Sequence, residues 1–142
     1  MPDIRQVTDS FSVAPQFEPG DMAEAAKAGF RIVIDNRPDA EGRQLQSGLA
    51  EAEAKAAGLQ YYYAPFQGQP TPAAIQALTE AVGSGKGPVL AYCRSGTRSI
   101  TAWAIAAAQN GWATPEEIIA TARTAGYQLD NLKEFLRNLA AR

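Results

Sequence analysis

The run Val89-Leu90-Ala91-Tyr92-Cys93-Arg94-Ser95-Gly96-Thr97-Arg98-Ser99 limits what this chain can fold into more than any other stretch. The apolar residues after Pro88 are too few for a helix and read as a buried strand. That strand ends on Cys93, the only cysteine of the chain. A short loop follows, carrying two arginines, small hydroxyl residues and a glycine, and an alanine-rich helical stretch then runs to about Gln109. Strand, polar loop and helix N-terminus in that order form an oxyanion site, because the loop amides and the helix dipole converge at the strand's carboxyl end.

The rest of the chain supplies more strands and helices in alternation. Residues 4–7 and 11–14 flank Thr8-Asp9-Ser10 as a β-hairpin. A helix from near Pro19 to Gly29 precedes the β-branched run Phe30-Arg31-Ile32-Val33-Ile34-Asp35, a second buried strand. Polar residues 36–43 read as a loop, residues 47–57 as a helix ended by Gly58, and residues 59–64 as a strand broken by Pro65. Thr71 and Pro72 open a helix with Ile75, Leu78 and Val82 on one face, closed by Gly83-Ser84-Gly85. Thr114-Pro115-Glu116-Glu117 is a capping box for a helix reaching Gly126. Asp130 is the expected cap of the last helix, whose Leu132, Phe135, Leu136 and Leu139 read as a core-packing stripe. Tyr61-Tyr62-Tyr63, Trp103 and Trp112 read as packing residues. The alternation predicts one α/β domain over residues 1–142: three layers, a mostly parallel central sheet and helices on both faces. Ligands of such sheets bind at the carboxyl ends of the strands, so the site is expected from the loops 35–41, 66–70 and 93–99.

Composition removes several chemistries. There is no histidine, which excludes Ser-His-Asp and Cys-His catalysis. One cysteine without histidine leaves no ordinary zinc set, so neither a metal nor a cofactor is expected. A net charge of −2 gives no electrostatic reason for a nucleic-acid or anionic membrane partner. No apolar run is long enough to span a bilayer, and the N-terminus lacks the look of a secretory signal. The lone cysteine fits a reducing, cytoplasmic setting. No residue pattern identifies a protein partner.

The thiolate of cysteine is its reactive form, and a free thiol is mostly protonated at neutral pH. Inward loop amides, the helix N-terminus and the charges of Arg94 and Arg98 favour the thiolate at Cys93. Arg98 and Arg94 suit planar binding of an oxyanion, Gly96 allows close backbone approach, and Ser95 and Thr97 add hydroxyls to the rim. Ser99 is placed to donate to the sulfur or to assist breakdown of a covalent intermediate. Asp35, Asp39 and Glu41 lie at the active end of the sheet, with Asp39 the first candidate acid and Arg37 a candidate substrate contact. The plainer reading of that pair is Asp39 capping a turn with Arg37 paired to it. Gln67 or Gln69 is a candidate to position a water.

Tyr92-Cys93-Arg94-Ser95-Gly96-Thr97-Arg98-Ser99 resembles the active-site loop of rhodanese-type sulfurtransferases and is similar to the phosphate-binding loop of cysteine-dependent phosphatases. Together with Phe11-Ser12-Val13-Ala14-Pro15-Gln16, Asp35-Asn36-Arg37-Pro38-Asp39 and Ala125-Gly126-Tyr127-Gln128-Leu129, nearly the whole chain resembles the β-lactamase-hydrolase-like phosphatase family. The resemblance implies a protein-tyrosine-phosphatase-like fold of the dual-specificity type, occurring alone or fused to a metallo-β-lactamase-type domain. The family's chemistry is described both as phosphatase and as sulfur transfer, so the resemblance implies a phosphocysteine or a persulfide on Cys93.

Three departures from the phosphatase pattern matter. Phosphatases of this class carry Cys-x5-Arg, whereas four residues separate Cys93 from Arg98. Their acid lies in the loop after the preceding strand, which here is Phe66-Gln67-Gly68-Gln69-Pro70, without a carboxylate. The histidine that usually precedes the nucleophile is Tyr92. Three readings follow: a cysteine-dependent phosphatase, a rhodanese-like sulfurtransferase carrying a persulfide on Cys93, or a non-catalytic binder of oxyanions or phosphopeptides. All three expect a small oxyanion or a phosphorylated substrate.

Overall fold

In the computed structural model, which describes residues 2–142, five strands form one sheet. They are β1 (Arg5–Gln6), β2 (Phe11–Ala14), β3 (Ile32–Asp35), β4 (Gln60–Tyr63) and β5 (Val89–Tyr92). The order is β1-β2-β5-β3-β4, with β1 antiparallel to β2 and every other pairing parallel. Six α-helices connect and cover them: α1 (Asp21–Lys27), α2 (Ser47–Ala56), α3 (Pro72–Gly83), α4 (Thr97–Gln109), α5 (Pro115–Thr124) and α6 (Lys133–Ala140). This is the expected three-layer α/β architecture.

The alternation of side chains along β5 explains the two layers. Leu90 and Tyr92 join Val33 and Ala14 beneath Met22 and Ala25 of α1 and Ala50 and Ala54 of α2, and the Phe17 ring stacks on Tyr92 at 4.7 Å. Val89 and Ala91 join Phe11, Ile32 and Ile34 on the opposite face, against Leu78 of α3 and Ile100 and Trp103 of α4. The Trp103 and Phe11 rings lie 6.3 Å apart. Helices α1 and α2 sit on connections stepping outward to β4, and α3 sits on the return to β5, as right-handed crossovers require. Helix α4 is buried from Ser99 to Ala108 apart from Thr101, because its alanines let the sheet and the outer helices approach its axis closely.

The caps at Thr71 and Thr114 form as expected. The Thr71 hydroxyl accepts from the Ala74 amide, and Thr114 and Glu117 cap each other's amides. Asp130 does not cap α6. It opens a one-turn 3-10 helix, Asp130–Leu132, and its carboxylate binds Arg123 at 2.7 Å instead. The apolar stripe divides: Leu136 and Leu139 are buried, while Phe135 is exposed on a groove of about 710 Å³ also lined by Ile75 and Ile105. Trp112 is exposed too, because the turn after α4 carries it away from the core, and Tyr63 is exposed on the edge strand β4. No helix among the described residues is long and apolar enough to cross a membrane.

Candidate active site

Three loops meet where β5, β3 and β4 end, and backbone hydrogen bonds brace them. The Cys93 amide still bonds the Ala14 carbonyl, and the Asn36 amide bonds the Tyr92 carbonyl. Beyond the sheet, Gln16 N–H reaches the Arg94 carbonyl, and Ala64 and Phe66 bond the carbonyls of Asp35 and Asn36. The nucleophile candidate is therefore held at its root by strands on both sides.

Cys93 is fully buried at the floor of the loop. The chain turns back over it, so that the Gly96 amide donates to its sulfur at 3.1 Å. That turn requires Gly96 at φ 94°, a left-handed conformation that side-chain-bearing residues rarely adopt. Helix α4 starts at the next residue. The backbone amides of Arg94, Ser95, Arg98 and Ser99 have no acceptor among the described residues. Free amides along a loop that leads into a helix N-terminus are donors available to an anion.

The two loop arginines differ in their surroundings. Arg94 is exposed, with no side-chain partner among the described residues. Arg98 is held: Nη1 donates to Glu41 Oε2 at 2.7 Å and to the Phe66 carbonyl at 3.2 Å, and Nη2 donates to Glu41 Oε1 at 3.0 Å. Glu41, on the 3-10 turn Asp39–Glu41 of the β3–α2 loop, also accepts from Arg37 Nε and Gln67 Nε2, both at 2.9 Å. The Arg98 bonds are the main reason the Glu41 carboxyl is pushed down to about 2; they outweigh the desolvation that opposes them, and Gln67 and Arg37 help. The same partnership raises Arg98 further, and the nearby Cys93 adds to it.

Other expected site residues take supporting places. Arg37 is nearly buried and bonds Glu41 and Gln16 Oε1, the latter at 3.0 Å, so its guanidinium does not project free into the site. Asp39 accepts from the amide and hydroxyl of Ser47 at 2.8 and 2.5 Å, which fastens the turn to the start of α2. Asp39 thus holds the start of α2, and Arg37 pairs with Glu41, not with Asp39. Ser95 and Thr97 are exposed and their hydroxyls bond each other at 3.1 Å. Gln67 holds Glu41 rather than standing free for a water.

The Ser99 hydroxyl donates to Asn36 Oδ1 at 2.8 Å, and Asn36 Nδ2 donates to the Ala64 carbonyl at 2.9 Å. Both residues are buried, so this chain of bonds ties α4 to the ends of β3 and β4. Its proton faces Asn36 and not the sulfur. Ser99→Ala leaves Asn36 Oδ1 without its donor and is expected to lower the unfolding free energy by about 1–3 kcal/mol, measured by urea titration. An unchanged value would remove this tie from the account.

Sequence reasoning missed one further contributor. Tyr127, from the turn after α5, donates its hydroxyl to the Ser95 carbonyl at 3.1 Å and lies directly over Gly96. Burial, with Cys93 nearby, raises its phenol above the ordinary value. On the other side of the sheet's end, Asp35 is buried, accepts from the Tyr61 hydroxyl at 2.7 Å and is raised mainly by desolvation. The buried Tyr92 hydroxyl lies beside that pair without a well-formed bond of its own. Asn36 was visible only as a polar residue in a loop and Glu41 only as one of three carboxylates at the active end of the sheet; that each bridges several loops depends on contacts far apart in the chain. Among the described residues, no group of three or more His, Cys, Asp or Glu side chains is placed to hold a metal ion.

The mixed five-stranded sheet with helices on both faces is a protein-tyrosine-phosphatase-like fold. The structure of PTPMT1 in complex with PI(5)P shares this fold, with a TM-score of 0.74, 19% identity, and 97% of this chain and 94% of that one covered. The sequence profile of the beta-lactamase hydrolase-like protein, phosphatase-like domain matches residues 3–110, and the chain belongs to that family. It is 30% identical over 139 residues to the beta-lactamase hydrolase-like protein of Xylella fastidiosa, covering 96% of this chain and 32% of that protein. The chain thus spans about a third of the length of the curated relatives it matches. A crystal structure from Neisseria meningitidis, assigned as a phosphatase, is similar at a TM-score of 0.81 and 29% identity, with 96% and 97% of the two chains covered.

Proposed function

We propose that this chain is a cysteine-dependent phosphatase that works through a phosphocysteine on Cys93. The observation that carries the reading is the loop itself: a buried sulfur under the Gly96 amide, four more loop amides without acceptors, and Arg98 at the first turn of α4. Membership of a phosphatase-like family and the shared fold support it. The Cys93 thiolate attacks phosphorus, forming an S–P bond as the ester P–O bond breaks and the alcohol oxygen leaves with the bonding electrons. Arg98 and the amides hold the equatorial oxygens, where charge is greatest in the transition state. Arg94 at the rim contacts the incoming phosphoryl group. Water then attacks the phosphocysteine, releasing inorganic phosphate and returning the thiolate.

None of the nearby carboxylates stands free to protonate the leaving oxygen. Asp39 holds Ser47, Asp35 is buried with Tyr61, and Glu41 is ionised between two arginines. A general acid is ordinarily worth about 10²–10⁴-fold. Aryl phosphates, whose phenolates leave without help, are therefore the favoured substrates.

A second reading has its own observation. The Cys-x4-Arg spacing and the absence of a free acid suit sulfur transfer, which needs no protonated leaving group. There the Cys93 thiolate attacks the outer sulfur of thiosulfate, forms an S–S bond and expels sulfite; a thiol acceptor then takes the sulfur. One experiment separates the two: acid-quench the protein during turnover of an aryl phosphate, and separately with thiosulfate, and map the Cys93 peptide by mass spectrometry. A phosphoryl adduct is expected from the first incubation. An added sulfur from the second, with no phosphoryl adduct from the first, would transfer the assignment to the sulfurtransferase.

A further inference from the structure

Glu41 brings together groups from separate loops, and the way it divides the donors of Arg98 suggests what it does. A guanidinium has five N–H donors in one plane, grouped into two forks. On Arg98 the outer fork is filled: Nη1 serves Glu41 and the Phe66 carbonyl, and Nη2 serves Glu41. The Nε–H and the second Nη2–H have no oxygen acceptor among the described residues, and Cys93 is the other group that acts on the guanidinium. They form the other fork, on a guanidinium that has the Cys93 side chain as a neighbour. A carboxylate gripping one fork leaves the other as a planar, preorganised seat for two oxygens of an anion.

Glu41 is itself fixed. Arg37 and Gln67 fill its remaining acceptor positions, and Arg37 is in turn held by Gln16 beside the loop. Arg98 is thus oriented by a relay through β2's end, the β3–α2 loop and the 66–70 loop. The ionised carboxylate has no proton to give at neutral pH, so it is no acid for the leaving group.

We infer that Glu41 is a positioning residue that holds the Arg98 guanidinium edge-on to the oxyanion bound over Cys93. It touches neither substrate nor sulfur and works only through Arg98. The inference deepens the phosphatase reading, but it concerns oxyanion binding and survives if the bound anion is sulfur-based.

Tungstate binding tests it without any chemistry. In Glu41→Gln, which keeps the shape and loses the charge, the dissociation constant for tungstate is expected to rise about tenfold. With aryl phosphate, kcat is expected to fall by about 10²-fold with KM changing far less, since the misaligned fork costs most in the transition state. In an Arg98→Lys background, where there is no fork to orient, Glu41→Gln should change tungstate affinity less than about threefold. A merely structural role would instead lower affinity equally in both backgrounds, along with the thermal midpoint, and would overturn the inference. Tighter tungstate binding by Glu41→Gln would overturn it too, by making Glu41 a competitor for Arg98. Loss of phosphatase turnover in wild type alongside Glu41-dependent tungstate binding would reject the phosphatase reading and leave this one standing.

Discussion

Cys93→Ser is expected to abolish turnover of aryl phosphates, by about 10⁴-fold or more in kcat, while the protein stays folded and still binds tungstate. Oxygen replaces sulfur on a residue whose backbone is locked between Ala14 and the helix, so the loop and its amides stay in place. A serine hydroxyl is a poor nucleophile without a base to take its proton, and the chain contains no histidine. Stopped assays with a chromogenic aryl phosphate measure the loss. Phosphate release that persists in Cys93→Ser at the wild-type rate would exclude the covalent mechanism. Loss of turnover together with loss of tungstate binding would show that sulfur shapes the loop, not only the chemistry.

Gly96→Ala is expected to lose both activity and stability, for two separable reasons. A Cβ at this position would lie 2.2 Å from the Tyr127 hydroxyl and 3.0 Å from the ring carbon that bears it. It would also strain a backbone held at φ 94° by about 1–3 kcal/mol. Flattening the turn moves the Gly96 amide off the sulfur, and swinging Tyr127 out breaks its bond to the Ser95 carbonyl. A fall in kcat of about 10²-fold is expected with a lower thermal midpoint. Adding Tyr127→Phe removes the closest clash and is expected to recover part of the midpoint. It cannot relieve the positive φ, so activity should remain low. Equal midpoints for the single and double variants would show that strain, and not the clash, dominates.

Much of this fold was legible because the signals are local. Pro88 and four apolar residues made β5, Thr71-Pro72 and Thr114-Pro115 announced helix starts, and the alternation of strands with helices led to a parallel sheet. Asp130 misled because an acidic residue before an apolar stripe is a helix-start signal, yet Arg123 lies within reach and takes the carboxylate. Phe135 misled because a helical stripe shows which residues share a face, not how wide the covering neighbour is.

The site divides along the same line. Cys93, Gly96 and Arg98 lie within six residues, and strand-loop-helix geometry alone brings them to one place, so the sequence by itself determined that the proposed nucleophile, the turn and the proposed anion-binding arginine share one loop. Glu41 meets Arg98 across 57 positions, Asn36 meets Ser99 across 63, and Tyr127 reaches Ser95 across 32. No periodicity or spacing encodes such pairings. They exist because β3 lies beside β5 and the turn after α5 returns over the loop. Only the tertiary structure decided that the carboxylate near Arg98 is a clamp on its guanidinium, that Asp39 serves α2, and that Ser99 faces an amide instead of the sulfur. Hydrogen bonds and charge act over a few ångströms, and folding alone determines which distant residues come that close.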